Sequence, residues 1–305
     1  MINYQEVPKP YWPLVRGIET LPNSEINAVI SKSKKGLGKS FWTDYALNKI
    51  NAEYVIFKGT ISESRFFKFV QDNSNKIIVM RDCGSMLRRL TFLDFLKSAT
   101  DPIPVREISR LNYARHEGVE DTFNFTGKLI WEINAIPKKN KEDLAAVIDR
   151  SLFINLNLCP DEIKKIMLTI CKSELETEVT NYLISKLNKI GLNNFNFRNQ
   201  YKSFQIVKCA MDDKLNWKSQ LDLFLDAQVS EARRLLYRFA GLKQVKRMAF
   251  VKYLISQGWS YATAQRRIME FLLLEEIYSN GKLKQSLISL NPILNISNIS
   301  EIKKQ

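Results

Sequence analysis

"ISKSKKGLGKSFWTDYALNKI", residues 30–50, decides how this chain is read. Its centre matches the end of the pattern G-x-x-x-x-G-K-[ST], in which a strand feeds a glycine-bearing turn and the turn opens a helix. Gly38, Lys39 and Ser40 supply that end, and Ser33 stands where the first glycine belongs. Such a turn wraps backbone N–H groups round an anion just ahead of a helix N-terminus, whose dipole also favours negative charge. Gly36 and Gly38 provide the permissive backbone, Lys39 a charge for β and γ phosphates, and Ser40 an oxygen for Mg²⁺. The residues expected to cradle a nucleotide are Ser33, Lys34, Lys35, Gly36, Leu37, Gly38, Lys39, Ser40 and Phe41. Ser33 is tolerable there if its backbone angles do not need glycine.

The flanks give the turn the context it needs. "EINAVISK" (25–32) reads as a short apolar strand before it, and "SFWTDYALNKI" as an amphipathic helix after it. Further strands follow at "AEYVIFKG" (52–59), "NKIIVMRD" (75–82), "FTGKLIWEINA" (125–135) and "SLFINLNL" (151–158). The third is nearly continuous in apolar residues, as a parallel strand covered on both faces should be. "SESRFFKFVQDN" (62–73) is a helix opened by a serine cap. Strands separated by helices imply a parallel sheet with right-handed crossovers. The segment 98–124, carrying Arg106, Arg110 and Arg115, breaks this rhythm and reads as an inserted loop or hairpin.

After about residue 159 the strands stop. "PDEIKKIMLTICKS", "ELETEVTNYLISKLNKIG", "FRNQYKSFQIVKCAMD" and "NWKSQLDLFLD" have helical spacing, with an internal break at Gly191–Phe197. The last part changes again. "EARRLLYRFAG", "QVKRMAFVKYLISQG" and "SYATAQRRIMEFLLLEEI" are three helices leading to a two-strand pattern around Asn280-Gly281, a strong hairpin signal. Three helices and a hairpin outline a winged helix-turn-helix.

Composition agrees with a globular chain of about two domains: 305 residues, 45% apolar and 11% aromatic. The formal charge of +14 favours a polyanionic partner, nucleic acid first, over the alternative of a lysine-rich solubilising surface. From 231 to 305 there are 13 Lys and Arg against 5 Asp and Glu, so that quarter holds +8 of the +14. Cys83, Cys159, Cys171 and Cys209 are scattered without a CxxC pair, and His116 cannot complete a common zinc site with them. They read as buried thiols in a reducing compartment. "MINYQEVPKPYW" has no apolar stretch of the secretory kind, and no apolar run approaches 18 residues. The expectation is a soluble, cytoplasmic protein with no membrane partner.

A phosphate site of this kind needs an acid at the end of a neighbouring buried strand. "IIVMRDCGS" offers Asp82, for which capping the next turn is the alternative role. At this point the chain resembles the AAA+ ATPases, especially those of phages, plasmids and other mobile elements. Their strand ends in two adjacent acids, the first for Mg²⁺ and the second for the attacking water. Arg81 stands in the first position and Asp82 in the second. The resemblance continues with Asn134 at the sensor-1 position, Arg150 at that of the arginine reaching a neighbour's γ-phosphate, and Arg198 at that of sensor 2. It covers roughly residues 15–225.

The resemblance implies an α/β fold: a parallel five-stranded P-loop sheet flanked by helices, then a helical lid and a C-terminal winged helix-turn-helix. The expected domains are 1–158 (ATPase core), 159–227 (lid) and 228–305 (winged helix). It also implies ATP and Mg²⁺ as cofactors. Ser40 and Asp82 would serve the metal, Asp82 and Asn134 would orient water, and Arg150 would act in trans. An arginine donated by a neighbour requires a ring or filament, with six subunits expected. Arg81, which would repel a metal, puts hydrolysis in question more than binding.

In the tail, the recognition helix would present Tyr261, Gln265, Arg266 and Arg267 to DNA, with Lys282 and Lys284 of the wing on phosphates. Arg88, Arg89 and the arginines of 98–124 would line a ring's channel. The leading expectation is a mobile-element ATPase assembling on DNA for replication, as initiator, helicase or loader. The alternatives are a poorly hydrolysing DNA-binding adaptor that recruits replication or transposition proteins, and a nucleotide-independent transcription regulator.

Overall fold

A computed structural model describes residues 2–109, 121–136, 140–190, 194–229, 235, 238–239, 245–273, 277–280 and 287–290; side chains 141, 188, 189 and 270 onward are outside that description. The chain forms two compact units, Met1–Leu158 and Cys159–Gln305.

In the first unit, β1 (Ala28–Lys32), β2 (Tyr54–Lys58), β3 (Ile77–Arg81), β6 (Lys128–Ile133) and β7 (Leu152–Asn155) make one parallel sheet in the order β2-β3-β6-β1-β7. The five-stranded sheet, and the helices after its first two strands in sequence, are those read from the sequence. α2 (Lys39–Lys49) joins β1 to β2, α3 (Glu63–Asp72) joins β2 to β3, and α5 (Lys141–Asp149) joins β6 to β7. Between β3 and β6 come α4 (Leu90–Ala99) and the antiparallel pair β4 (Arg106–Ser109) and β5 (Thr122–Phe125). The order matters for function. β6 lies between β1, which feeds the glycine turn, and β3, so the C-terminal ends of all three stand side by side.

The central strands are apolar and buried because the sheet is covered on both faces. Ile77–Met80 and Leu129–Trp131 are within this core. One transverse row departs from the pattern: Arg81 is the register partner of Glu132, and Glu132 that of Ser31. On one side Phe57, Phe66, Phe92, Phe95 and Trp131 interlock, with Phe57–Phe66 and Phe66–Phe95 edge-to-face at 5.0 Å. Edge-to-face rings at this separation add to what area burial supplies.

The N-terminal helix α1 (Trp12–Thr20), which the sequence reading left unassigned, buries Leu14, Val15 and Ile18. The channel role expected of the insertion's arginines is corrected at Arg106. That residue is 1% exposed, with its guanidinium 4.9 Å from the Phe125 ring centroid and bonded to the carbonyls of Ile103 and Gly127. Burial pulls its pKa down to about 10 against the pull of Asp101. A cation so enclosed cannot meet a polyanion. Arg110 and Arg115 lie outside the described residues, Arg88 is exposed, and Arg89 Nη1 donates to the Ile61 carbonyl at 3.1 Å.

The second unit opens with α6 (Pro160–Thr169), α7 (Glu174–Ser185), α8 (Leu187–Ile190), α9 (Phe197–Asp212) and α10 (Trp217–Gln228). Ser173, Asn196 and Asn216 cap α7, α9 and α10 by accepting backbone N–H groups. Gln200, buried on α9, ties the helices by donating to the Met167 carbonyl at 2.8 Å and to Thr180 Oγ1 at 2.9 Å. Next come β8 (Val245–Lys246), α11 (Arg247–Ser256), α12 (Tyr261–Leu273), β9 (Ile277–Asn280) and β10 (Leu287–Leu290). The three strands pair antiparallel in the order β8-β10-β9. Phe250, Val251, Leu254, Ala264 and Ile268 form the core beside them. No helix among the described residues is long and apolar enough to cross a membrane.

Candidate nucleotide site

Residues 33–38 form the turn from β1 into α2. Gly36 and Gly38 have φ of 76° and 75°, the left-handed region that a side chain disfavours, and Gly38 is the N-cap of α2. Ser33 is different. The non-glycine residues with positive φ among those described are Asn51, Asp82, Asn140 and Lys214, so the backbone at Ser33 does not call for glycine. Its N–H donates to the Ile133 carbonyl at 3.2 Å, which ties the start of the turn to β6. From the other side the Tyr11 hydroxyl donates to the Leu37 carbonyl at 2.5 Å, and the Tyr11 ring lies 5.3 Å from that of Trp42. The turn is thus braced by the segment ahead of α1, a support the sequence reading missed.

Lys39 is 8% exposed, and its Nζ donates to Ser33 Oγ at 3.2 Å and to Asn134 Oδ1 at 3.0 Å. Asn134, just past β6, therefore meets the lysine. Lys34, Lys35 and Ser40 are exposed. Phe41 is 65% exposed and sits edge-on to Trp42 at 5.0 Å.

The acid next to Ser40 is not one the sequence reading named. Ser40 Oγ donates to Oε2 of Glu132, a buried residue on β6. Arg81 Nε donates to the other oxygen, Oε1, at 3.1 Å, while Arg81 Nη2 reaches Asp44 Oδ1 on α2 at 2.6 Å. Burial works against the charge of Arg81, but its hydrogen bond to Asp44 and the charges of Glu132 and Asp44 outweigh it, and its pKa is raised. Asp82 follows in a left-handed conformation, φ 54°, with an exposed side chain 3.9 Å from Lys58 Nζ. The described contacts bring Glu132 to Ser40 and leave Asp82 with Lys58. The missed signal was a carboxylate inside the apolar run "KLIWEI", which costs several kcal/mol unless a partner compensates it. The arginine ending "IIVMR" is that partner.

These groups suit a nucleoside triphosphate with its cation. The glycines free backbone amides to turn inward, Lys39 supplies a fixed charge, and Ser40 with Glu132 offers the hard oxygen donors that Mg²⁺ prefers. When bound, the cation would neutralise phosphate charge; the chain's part is to hold and orient.

The remaining expected residues lie elsewhere. Arg150, at the C-terminal end of α5, donates from Nη1 to Asp101 Oδ1 at 2.5 Å and to the Lys97 carbonyl at 3.1 Å. Arg198 is exposed in the first turn of α9, in the second unit. On α12, Tyr261, Arg266 and Arg267 are exposed. Gln265 is engaged: Arg247 donates to its Oε1, and its Nε2 donates to the Tyr261 hydroxyl at 3.2 Å. Lys282 and Lys284 fall outside the described residues.

The whole chain superposes on solved structures of RuvB from Thermotoga maritima. A proline-to-glycine mutant gives a TM-score of 0.54 at 11% identity, covering 99% of this chain and 96% of that one. The structure titled the RuvB Holliday junction branch migration motor gives 0.51 at 11% identity, covering 100% and 96%. The fold, a five-stranded parallel sheet flanked by helices, is the one these RuvB structures have. At such low identity the likeness establishes architecture alone. No protein-family model matches the chain. In sequence it is 24% identical, over 222 residues, to an uncharacterized 36.7 kDa protein from the nrdC–mobD intergenic region of Enterobacteria phage T4, covering 64% of this chain and 67% of that protein.

Proposed function

We infer that the protein binds ATP with Mg²⁺ at the β1–α2 turn and works as an oligomeric ATPase on DNA in the replication of a phage or other mobile element. The observation that carries this is the set of contacts at Lys39. A lysine at a helix N-terminus, behind two left-handed glycines, is held in place by Ser33 Oγ and Asn134 Oδ1 at the mouth of the turn. An anion is the natural complement of that arrangement. Phosphoryl transfer to water asks mainly for positioning and charge, and Lys39, Asn134 and Asp82 would supply them from one subunit. Arg150 would add its charge from a neighbour in a ring or filament, exchanging Asp101 for a phosphate.

The tail supplies the DNA-binding part of this reading. Its order of strand, two helices and two strands has the outline of a winged helix, with α12 as the helix for DNA. The phage T4 relative supports a mobile-element setting, and the RuvB likeness supports a DNA-directed motor. The test is ATP binding and turnover with and without DNA, beside Lys39→Ala and Arg150→Ala. Binding lost only in Lys39→Ala, with turnover lost in both, is expected. Unchanged behaviour in both variants would overturn the site.

One observation favours a second reading. Arg81 stands ion-paired where a metal-holding acid is usual, so the site could bind nucleotide while hydrolysing it poorly, in a DNA-bound adaptor. Turnover gained in Arg81→Asp over an inactive parent would decide for it.

A further inference from the structure

The polar row at the ends of β3, β6 and β1 has a division of labour that the sequence pattern does not suggest. Resting on the nucleotide reading above, we propose that Glu132, one strand nearer the turn than the usual acid, holds the cation of the bound nucleotide together with Ser40, and that Arg81 is the counter-ion it has when the cation is absent.

Three observations lead there. First, strand order: β6 is adjacent to β1, whereas β3 is one strand further, so a side chain at the end of β6 is nearer the turn. Glu132 uses that position, since one of its oxygens already accepts the Ser40 hydroxyl. Second, burial: Glu132 is 6% exposed, and a carboxylate this enclosed needs a cation. Arg81 fills that need from the neighbouring strand through Nε on Oε1, leaving Oε2 directed at Ser40.

Third, the charge count. In the described contacts Arg81 is shared between Glu132 and Asp44, so these three side chains together carry a net negative charge on the side of Ser40 away from the turn's lysine. A divalent cation brought in on a triphosphate meets that deficit. Arg81 then keeps Asp44, to which it makes the shorter contact, 2.6 Å against 3.1 Å. The buried Ser31 Oγ, register partner of Glu132 on β1, has no hydrogen-bond partner, so this row holds polar capacity that the present contacts leave unused. Asp82, paired with Lys58 and exposed, has no described contact with this row.

The experiment measures the affinity of a fluorescent non-hydrolysable ATP analogue as Mg²⁺ is titrated from EDTA to excess. Wild type should bind in EDTA through Lys39 and the turn, and tighten as Mg²⁺ is added. Glu132→Gln should keep its EDTA affinity within about twofold and lose the Mg²⁺ enhancement, because an amide cannot neutralise a divalent ion. Arg81→Gln should reach half-enhancement at about tenfold lower Mg²⁺, having lost the competitor for Glu132. The pair Arg81→Gln with Glu132→Gln removes both charges together, so it tests the same loss of enhancement without stranding a buried ion. Wild-type Mg²⁺ dependence in Glu132→Gln or in the pair overturns the proposal, as does loss of that dependence in Asp82→Asn alone. If wild type binds no nucleotide with or without Mg²⁺, the ATP reading itself falls, which is a different failure.

Discussion

Arg81 and Glu132 are register partners on adjacent parallel strands, and their side chains close a 3.1 Å ion pair with Glu132 almost wholly buried. Removing Arg81 strands Glu132 in a poorly hydrated place, at about 3–5 kcal/mol, whereas replacing both by apolar residues is often close to neutral. Arg81→Met should therefore lower the urea midpoint sharply, and Glu132→Ala less, because Arg81 keeps Asp44. Arg81→Met with Glu132→Met should recover most of the loss. A double variant no better than the sum of its parts would show that the pair is not coupled.

On the nucleotide reading proposed above, Lys39 is the charge on which affinity would depend most. Charge-assisted hydrogen bonds contribute about 1.5–3 kcal/mol each, so Lys39→Ala should weaken ATP binding by about 10- to 100-fold. Calorimetric titration of wild type and variant checks this. Circular dichroism should be unchanged, because the lysine's hydrogen bonds to Ser33 Oγ and Asn134 Oδ1 join side chains and engage no backbone group of the helix or sheet.

The turn separates two kinds of residue. Gly36 and Gly38 hold left-handed angles, so an alanine at either should cost about 1–2 kcal/mol and spoil the cradle. Ser33→Gly, which restores the usual pattern, should bring no gain in affinity, because the backbone at Ser33 does not use glycine's freedom. Its expected effects are a loss of about 0.5–1 kcal/mol from backbone entropy and of one acceptor for Lys39. Tighter nucleotide binding by Ser33→Gly would show that the serine is a defect.

The sheet was legible because strand and helix periodicities alternate from 25 to 82 and strands resume after the 98–124 insertion, and because β3 and β6 are apolar almost throughout. The glycine turn was legible for a local reason: Gly36, Gly38, Lys39 and Ser40 are contiguous. Glu132 was not, because its meaning depends on β6 lying between β1 and β3, and strand order is a long-range property that no short window carries. The same holds for Tyr11, which reaches Leu37 across 26 residues. Arg106 looked like free charge because burial of a lone arginine on carbonyls and an aromatic ring leaves no periodic mark.

On α12, Arg266 and Arg267 are exposed, with Arg266 on the side away from buried Ala264 and Ile268 and Arg267 at its flank. If that face meets phosphates, each cation removed should lower the salt dependence of binding by about one unit of slope. Arg266→Ala with Arg267→Ala should thus flatten the log K against log salt plot by about two and weaken binding at low salt. Fluorescence anisotropy on a short duplex is the measurement. An unchanged slope would move the DNA contact elsewhere.

Cys83, just past the end of β3, reports on this corner of the site. Its thiol is buried and donates to the Arg81 carbonyl at 3.1 Å, and burial, with the nearby Asp82 charge adding, pushes its pKa up to about 12. Thiol reagents attack the thiolate, so the folded protein should protect Cys83 at pH 8 while the exposed Cys159 and Cys209 label promptly. The sign of the linkage follows from the raised value. The neutral thiol's contribution to stability is full below the unfolded pKa near 9.0 and is lost progressively as pH rises towards 12, where the folded form ionises too. Labelling of Cys83 between pH 8 and 9 therefore measures opening of the β3 end. A nucleotide that binds only the closed state should slow it further, by mass action. Mass spectrometry of iodoacetamide-treated protein, with and without an ATP analogue, reads both effects. If Cys83 labels as fast as Cys209 in the native protein, the β3 end is open, and the row of Arg81, Glu132 and Ser31 beside it is not the closed structure described.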